Sequence, residues 1–218
     1  MRFDIVTIFP EMFESVFGTS ILKRAIEDKK VEVRFFNPRD HTTDKHKTVD
    51  DTPYGGGPGM VMKIEPLART LKSIRRKKNS RVFLLSAKGK RFTQQRAQAF
   101  AEKYDQLIFV CGRYEGVDER IQEYIDEELS IGDFVLTGGE LGAMVIVDAI
   151  SRLLPGVLGT DESSHEESHS EEGYIEYPHY TRPDVYDGQK VPPVLLSGNH
   201  KAIDEWRKEH STQSKKKS

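Results

Sequence analysis

The chain has 218 residues, 36% of them hydrophobic and 31% charged, with a formal net charge of −2. That length supports one α/β domain with a sizeable core plus a small appendage. The near-neutral charge excludes a non-specific polyanion binder, so any nucleic-acid contact has to come from local basic patches.

The chain has no apolar run near the ~20 residues that a bilayer span needs. Arg2 and Asp4 interrupt what would be the apolar core of a signal peptide. The single cysteine, Cys111, allows no intrachain disulfide and reads as a small buried core residue, which fits a reducing, cytoplasmic setting.

In chain order, Phe3–Ile8 reads as a strand, Glu11–Phe17 and Ser20–Lys30 as helices with Ser20 an N-cap, and Val31–Phe36 as a strand ended by Pro38. His41–Met60 is a long polar, glycine-rich stretch without periodicity, of the kind that usually carries function. Glu65–Lys78 is an amphipathic helix. Val82–Leu85 is an apolar strand closed by Ser86–Gly89, Thr93–Tyr104 a helix capped by Thr93, and Leu107–Cys111 a fully apolar strand. Val117–Tyr124 reads as a helix, Leu129–Ile131 as a short strand, and Glu140–Leu154 as a long apolar helix stopped by Pro155 and Gly156. Strands that alternate with helices, with solid apolar runs, predict a mostly parallel sheet covered on both faces.

The character then changes. Between Leu153 and Thr181 there are seven Asp or Glu residues and no Lys or Arg. This reads as a flexible acidic linker over 160–182, between a domain at 1–159 and a short helical domain at 183–218. The last domain carries a helix at His200–Glu209 and a polar tail with Lys215–Lys217.

Ligands of open parallel sheets bind at the carboxyl ends of strands. Here those ends carry Leu85 and Ser86, the run CGRYEG at Cys111–Gly116, SIGD at Ser130–Asp133 and TGGE at Thr137–Glu140. Glycines at adjacent strand ends let the backbone approach a ligand, so main-chain groups can read an adenine edge. The first strand is not followed by G-x-G-x-x-G, and the P-loop pattern is missing, which sets aside ordinary dinucleotide sites and P-loop kinases. The run YGGGPG at Tyr54–Gly59 lacks a phosphate-binding lysine. With Lys45, His46, Lys47 and Lys63 around it, it reads as a backbone approach to nucleic acid rather than only a turn. Lys72, Arg75, Arg76, Lys77, Lys78 and Arg81 form a basic cluster at a helix end, either a solvated face or an RNA backbone contact. His165–His169 matches H-E-x-x-H. Its Ser, Glu and Gly neighbours offer no apolar face for a buried zinc helix, so an acidic surface segment is the better reading and no metal ligand is assigned.

Eight long motifs in series resemble one family. They are IFPEMF at Ile8–Phe13, TVDDTPYGGGPGM at Thr48–Met60, VCGRYEGVDER at Val110–Arg120, SIGDFVL at Ser130–Leu136, GGEL at Gly138–Leu141, SRLLPGVLG at Ser151–Gly159, YPHYTRP at Tyr177–Pro183 and VPPVLLSGNH at Val191–His200. Together they resemble the bacterial tRNA (guanine-N1)-methyltransferases of the TrmD type, in the trefoil-knot (SPOUT) superfamily. The resemblance implies a knotted α/β domain with helices on both faces of its sheet, a linker and a small helical C-terminal domain. It also implies a homodimer with active sites at the interface, a tRNA substrate and S-adenosylmethionine as methyl donor, with magnesium as a family expectation. By matching motifs, Leu85, Ser86, Gly112, Tyr114, Glu115, Ile131, Gly132, Leu136, Gly138 and Gly139 would line the cofactor pocket. Asp50, Gly55, Gly56, Gly57 and Gly59 would meet the tRNA.

Guanine N1 carries a proton at neutral pH, so a carboxylate base has to remove it, and a guanidinium beside O6 stabilises the charge that develops there. The resemblance places the guanidinium at Arg152. The family's base is the aspartate of an Asp-Ser-Phe triplet, matched here by Glu167–His169, so Glu167 is the expected base, with Glu166 and Glu171 as competing carboxylates. The sequence stops soon after Trp206, where the family continues through further helices, so part of the tRNA grip is expected to be missing or replaced by the basic tail. A methyltransferase acting on another RNA position, and a non-catalytic tRNA-binding relative, are the rival readings.

Overall fold

The computed structural model describes residues 1–158, 167–171 and 173–213. The chain forms two compact units, Met1–Asp161 and Glu162–Ser218. Gly159, the zinc-like His165, the alternative base Glu166 and the Lys215–Lys217 tail lie outside the described residues.

In the first unit the elements run β1 (Arg2–Val6), α1 (Glu14–Phe17), α2 (Ser20–Glu27), β2 (Glu32–Phe36), β3 (Asp50–Asp51), β4 (Val61–Met62), α3 (Ile64–Ser73), β5 (Ser80–Arg91), α4 (Gln94–Lys103), β6 (Gln106–Cys111), β7 (Glu127–Ser130) and α5 (Glu140–Ser151). Five strands form one parallel sheet in the order β2-β1-β6-β5-β7. The expected mostly parallel sheet with helices on both faces is therefore present.

Strand alternation sorts the core into two layers. Phe3, Ile5, Phe83, Leu85, Leu107 and Phe109 pack with Ala143, Ile146, Val147 and Ile150 of α5. Val82, Leu84, Ile108 and Val110 pack on the other face with Leu67 and Leu71 of α3. β6 is buried along its whole length, which is why its sequence is an unbroken apolar run.

Four elements depart from the sequence expectation. α3 stops at Ser73, because Ile74 turns extended to enter the core. The Arg75 carbonyl then accepts from Arg2 and Gln106. The basic run after Lys72 is therefore not helical, and two of its charges are spent on ion pairs, Arg76 with Asp126 (3.3 Å) and Arg81 with Glu127 (3.2 Å). β5 does not end at Leu85. It bulges through Ser86–Gly89 and rejoins β7 at Lys90 and Arg91. Val117–Tyr124 is a 3-10 turn over Glu119–Tyr124, capped by the Asp118 carboxylate, which accepts from the Arg120 amide at 3.0 Å. Thr19, not Ser20, occupies the cap position of α2, whereas Thr93 caps α4 as expected.

Opposite the glycine-rich strand ends, Arg2, Asp4 and Gln106 form a buried cluster, with Arg2 and Asp4 3.1 Å apart. Burial raises the Asp4 carboxyl pKa above its ordinary value, against the opposing pull of the Gln106 hydrogen bond and the Arg2 charge.

In the second unit, β8 (Tyr174–Ile175) pairs with β11 (Thr212–Gln213). β9 (Val185–Tyr186) and β10 (Gln189–Lys190) make a hairpin, followed by α6 (Pro193–Leu196) and α7 (His200–His210). Asp187 and Gly188 both have positive φ, the backbone that a two-residue hairpin turn requires. Asn199 caps α7, and Trp206 stacks on His210 with centroids 4.1 Å apart.

Candidate active site

A cavity of about 490 Å³ opens at the carboxyl ends of β5, β6 and β7, inside the ~300–1,000 Å³ range of small-ligand sites. All ten residues expected to line a cofactor pocket are brought together there. Leu85 and Ser86 come from β5 and its bulge. Gly112, Tyr114 and Glu115 follow β6, and Ile131 and Gly132 follow β7. Leu136, Gly138 and Gly139 precede α5.

The walls approach so closely that side chains would not fit. A Cβ on Gly139 would lie 2.8 Å from the Cys111 Cα and 3.1 Å from the Leu85 Cβ. The Gly139 amide instead donates to the Gly112 carbonyl at 2.9 Å, joining two of the glycine loops. Leu85, Ile131 and Leu136 supply apolar surface and the loops supply backbone groups. Apolar surface with main-chain donors and acceptors suits a flat heteroaromatic ring, and Lys88, Arg113, Glu115, Glu119 and Glu128 add charge to the same wall.

The five residues expected to meet tRNA lie on one device beside this cavity. Asp50 is on β3, paired antiparallel to β4, and Gly55–Gly59 form the exposed hairpin tip, with Gly55, Gly56, Gly57 and Gly59 at positive φ. Tyr54 at that tip is fully exposed. The hairpin is fastened to the cavity wall by three main-chain bonds, Met62 N–H to Gly116 O (2.9 Å), Glu115 N–H to Met60 O (2.9 Å) and Asp118 N–H to Met62 O (3.0 Å). Tyr114, itself in the left-handed region at φ 62°, carries its phenol close enough to feel the Asp50 charge. Burial, and then the Asp50 charge, raise its phenol pKa above the ordinary value.

Arg152 follows the last turn of α5, half-buried, with its amide bonded to the Asp148 carbonyl at 3.2 Å. Glu167 belongs to the second unit and is half-buried. It opens a turn closed by Ser170 N–H to Glu167 O (3.0 Å) and His169 N–H to Tyr174 O (2.7 Å). His169 is exposed and sits in that turn at φ 69°, not on a helix as a zinc-protease histidine would require. Among the described residues no group of three or more His, Cys, Asp or Glu is arranged to hold a metal ion.

Thr7, Arg113 and Glu140 were not singled out by the sequence reading, yet they tie the cavity's loops together. Glu140 is fully buried, accepting from Thr7 Oγ1 at 2.8 Å and from Arg113 Nε at 2.9 Å. The one available signal was an acid at the first position of a mostly apolar helix.

The family model for tRNA (guanine-1)-methyltransferase, TrmD, matches residues 1–218. A tRNA (guanine-N(1)-)-methyltransferase of Carboxydothermus hydrogenoformans is 54% identical over 212 residues, 97% of this chain and 83% of that protein. Proteins of the same name from Bacillus cereus and Bacillus anthracis are 55% identical over 214 residues, 97% of this chain and 87% of each relative. With the cavity, the hairpin and a match along its whole length, the chain belongs to the tRNA (guanine-1)-methyltransferase family, TrmD.

Proposed function

We propose that the chain transfers a methyl group from S-adenosylmethionine to N1 of guanosine 37 in tRNA. The observation that carries this is the convergence of all ten expected cofactor residues on one cavity, in a chain that belongs to a guanine-N1 methyltransferase family. Bound there, S-adenosylmethionine supplies an electrophilic methyl on a sulfonium. Leu85, Ile131 and Leu136 exclude water from the adenosine end, and the backbone at Gly112, Gly138 and Gly139 orients it. Asp50 and the Gly55–Gly59 tip take the anticodon strand. Glu167 removes the N1 proton, and Arg152 stabilises the charge that develops on O6. No step is assigned to magnesium, which stands as a family expectation only.

The test is methyl transfer from labelled S-adenosylmethionine to a tRNA transcript with guanosine at 36 and 37, beside one with adenosine at 37. Label on the first alone is expected. Label at another nucleoside would favour a different RNA target, and label on neither a non-catalytic tRNA binder.

The same reading includes a trefoil knot in the first unit, a helical C-terminal domain that grips tRNA, and a homodimer in the cytoplasm. Among the described residues no helix is long and apolar enough to cross a membrane. An apolar surface supports the dimer. Leu141 and Val145, one turn apart on α5, are 47% and 50% exposed, and Val135 beside the cavity is 86% exposed. Leu141→Glu with Val145→Glu is expected to convert a sedimenting dimer to a monomer. A variant that still sediments as two chains would move the interface elsewhere.

A further inference from the structure

The ion pair of half-buried Arg113 with fully buried Glu140 joins three chain segments at one wall of the cavity. Glu140 is the first residue of α5, where the helix dipole favours an anion. Its two carboxylate oxygens serve different segments. Oε1 accepts from Thr7, just past β1, whose own Oγ1 accepts from the Phe9 amide at 3.0 Å. Oε2 accepts from Arg113, just past β6. The Arg113 guanidinium lies over the Phe9 ring at 4.8 Å and donates to the Thr137 carbonyl at 3.4 Å. Gly138 makes room for the pair, since a Cβ there would sit 2.3 Å from Arg113 Nε and 2.6 Å from Glu140 Oε2.

A buried ion pair is weak as a source of stability alone, because desolvating both charges offsets their attraction. Apolar residues would hold these loops as well. What they would not do is control the charge at the wall, and Arg113 and Gly138 both line the cavity.

We propose that Glu140 neutralises Arg113 so that the cavity admits a cationic sulfonium, making the pair a determinant of ligand charge as well as a brace between the glycine loops. Both are positioning residues, acting on the ligand through the wall they hold. The inference rests on the reading of the cavity as an S-adenosylmethionine site. Two unit charges roughly 8–10 Å apart, at an effective dielectric near 20, interact strongly enough to change affinity by roughly 15- to 35-fold. The neutral thioether S-adenosylhomocysteine would be largely insensitive to an unpaired guanidinium.

The test is calorimetric titration of the whole chain, without tRNA, with each of these two ligands, alongside thermal unfolding. Glu140→Gln keeps the shape and removes the charge. It is expected to cost S-adenosylmethionine roughly 15- to 35-fold more affinity than S-adenosylhomocysteine. Arg113→Met should shift the ratio the other way, and the double variant should restore it, even if both affinities and the Tm have fallen. Thr7→Val breaks the Thr7 link without touching either charge and should leave the ratio unchanged. A ratio that stays constant in every folded variant while Tm drops would make the pair a stability element and overturn the proposal. If the wild-type chain binds neither ligand, the reading of the cavity fails and takes the inference with it. If it binds both with an unaltered ratio in the variants, only the inference fails.

Discussion

Replacing Glu167 with alanine is expected to lower kcat for methylation of guanosine 37 by about 10²–10⁴-fold, the usual contribution of a positioned general base. Cofactor binding should be unchanged, since the cavity is built wholly from residues of the first unit. Guanine N1 has no lone pair to offer until its proton leaves, so a missing base acts on the chemical step and leaves KM for tRNA near its original value.

The turn around Glu167 is not a loose acidic strand. The Ser168 hydroxyl accepts from the Glu176 amide at 3.1 Å, and the His169 amide bonds to Tyr174 of β8, so Glu167 sits at the mouth of a pinned loop. Glu171, at the far end of the same turn, is exposed. Glu171→Ala should therefore stay within about threefold of wild type, as befits a carboxylate with no proton to move. Glu167→Asp, which restores the side chain of the family triplet, should keep most of the activity. Single-turnover rates on the guanosine-37 transcript separate these cases, and an undiminished rate in Glu167→Ala would remove Glu167 from the chemistry.

The largest expected effect on stability is at Gly89. A Cβ there would lie 2.5 Å from the Leu129 nitrogen, 2.6 Å from the Glu128 carbonyl carbon and 2.7 Å from the Leu129 carbonyl carbon. All three are backbone atoms of β7, so no side-chain rotation relieves the clash. The methyl has to push β7 away from β5 at the point where β5 rejoins it after the bulge. Overpacking of this kind costs typically 1–3 kcal/mol and more where the neighbour cannot yield. We expect Gly89→Ala to lose about 3 kcal/mol, or about 6–12 °C of Tm for a chain of this size. Urea and thermal unfolding read both. An unchanged Tm would mean that β7 does not approach Gly89 so closely. The cavity should suffer too, because Ser86 and Lys88 on the bulge and Leu129 and Ser130 on β7 all line it.

Much of this was legible before any coordinates. Leu107–Cys111 is apolar at every position because β6 is covered on both faces, and such runs alternating with helices implied a buried parallel sheet. The glycine clusters after β6 and before α5 implied a shared site because glycine spacing reports where main chains must approach. The bulge in β5 was not legible. Ser86–Gly89 has the composition of a strand-closing turn, and only its pairing with a strand some forty residues later makes it continuous. The β3–β4 hairpin was not legible because two-residue strands leave no periodic trace. The Thr7–Glu140 bond spans 133 residues, and Arg113–Glu140 spans 27. Residue types at such distances announce no contact; the topology that brings β1, β6 and α5 to one end of the sheet does.

Cys111 ends β6, one residue before Gly112 at the cavity wall, and is fully buried. Burial, with the nearby Glu140 charge adding to it, pushes its thiol pKa well up. Since the thiolate is the reactive form, the native chain meets oxidants and electrophiles with its sole sulfhydryl both hidden and protonated. Such reagents reach it only in molecules whose sheet has already parted, so sulfhydryl chemistry on this protein is a record of opening events rather than of its working state.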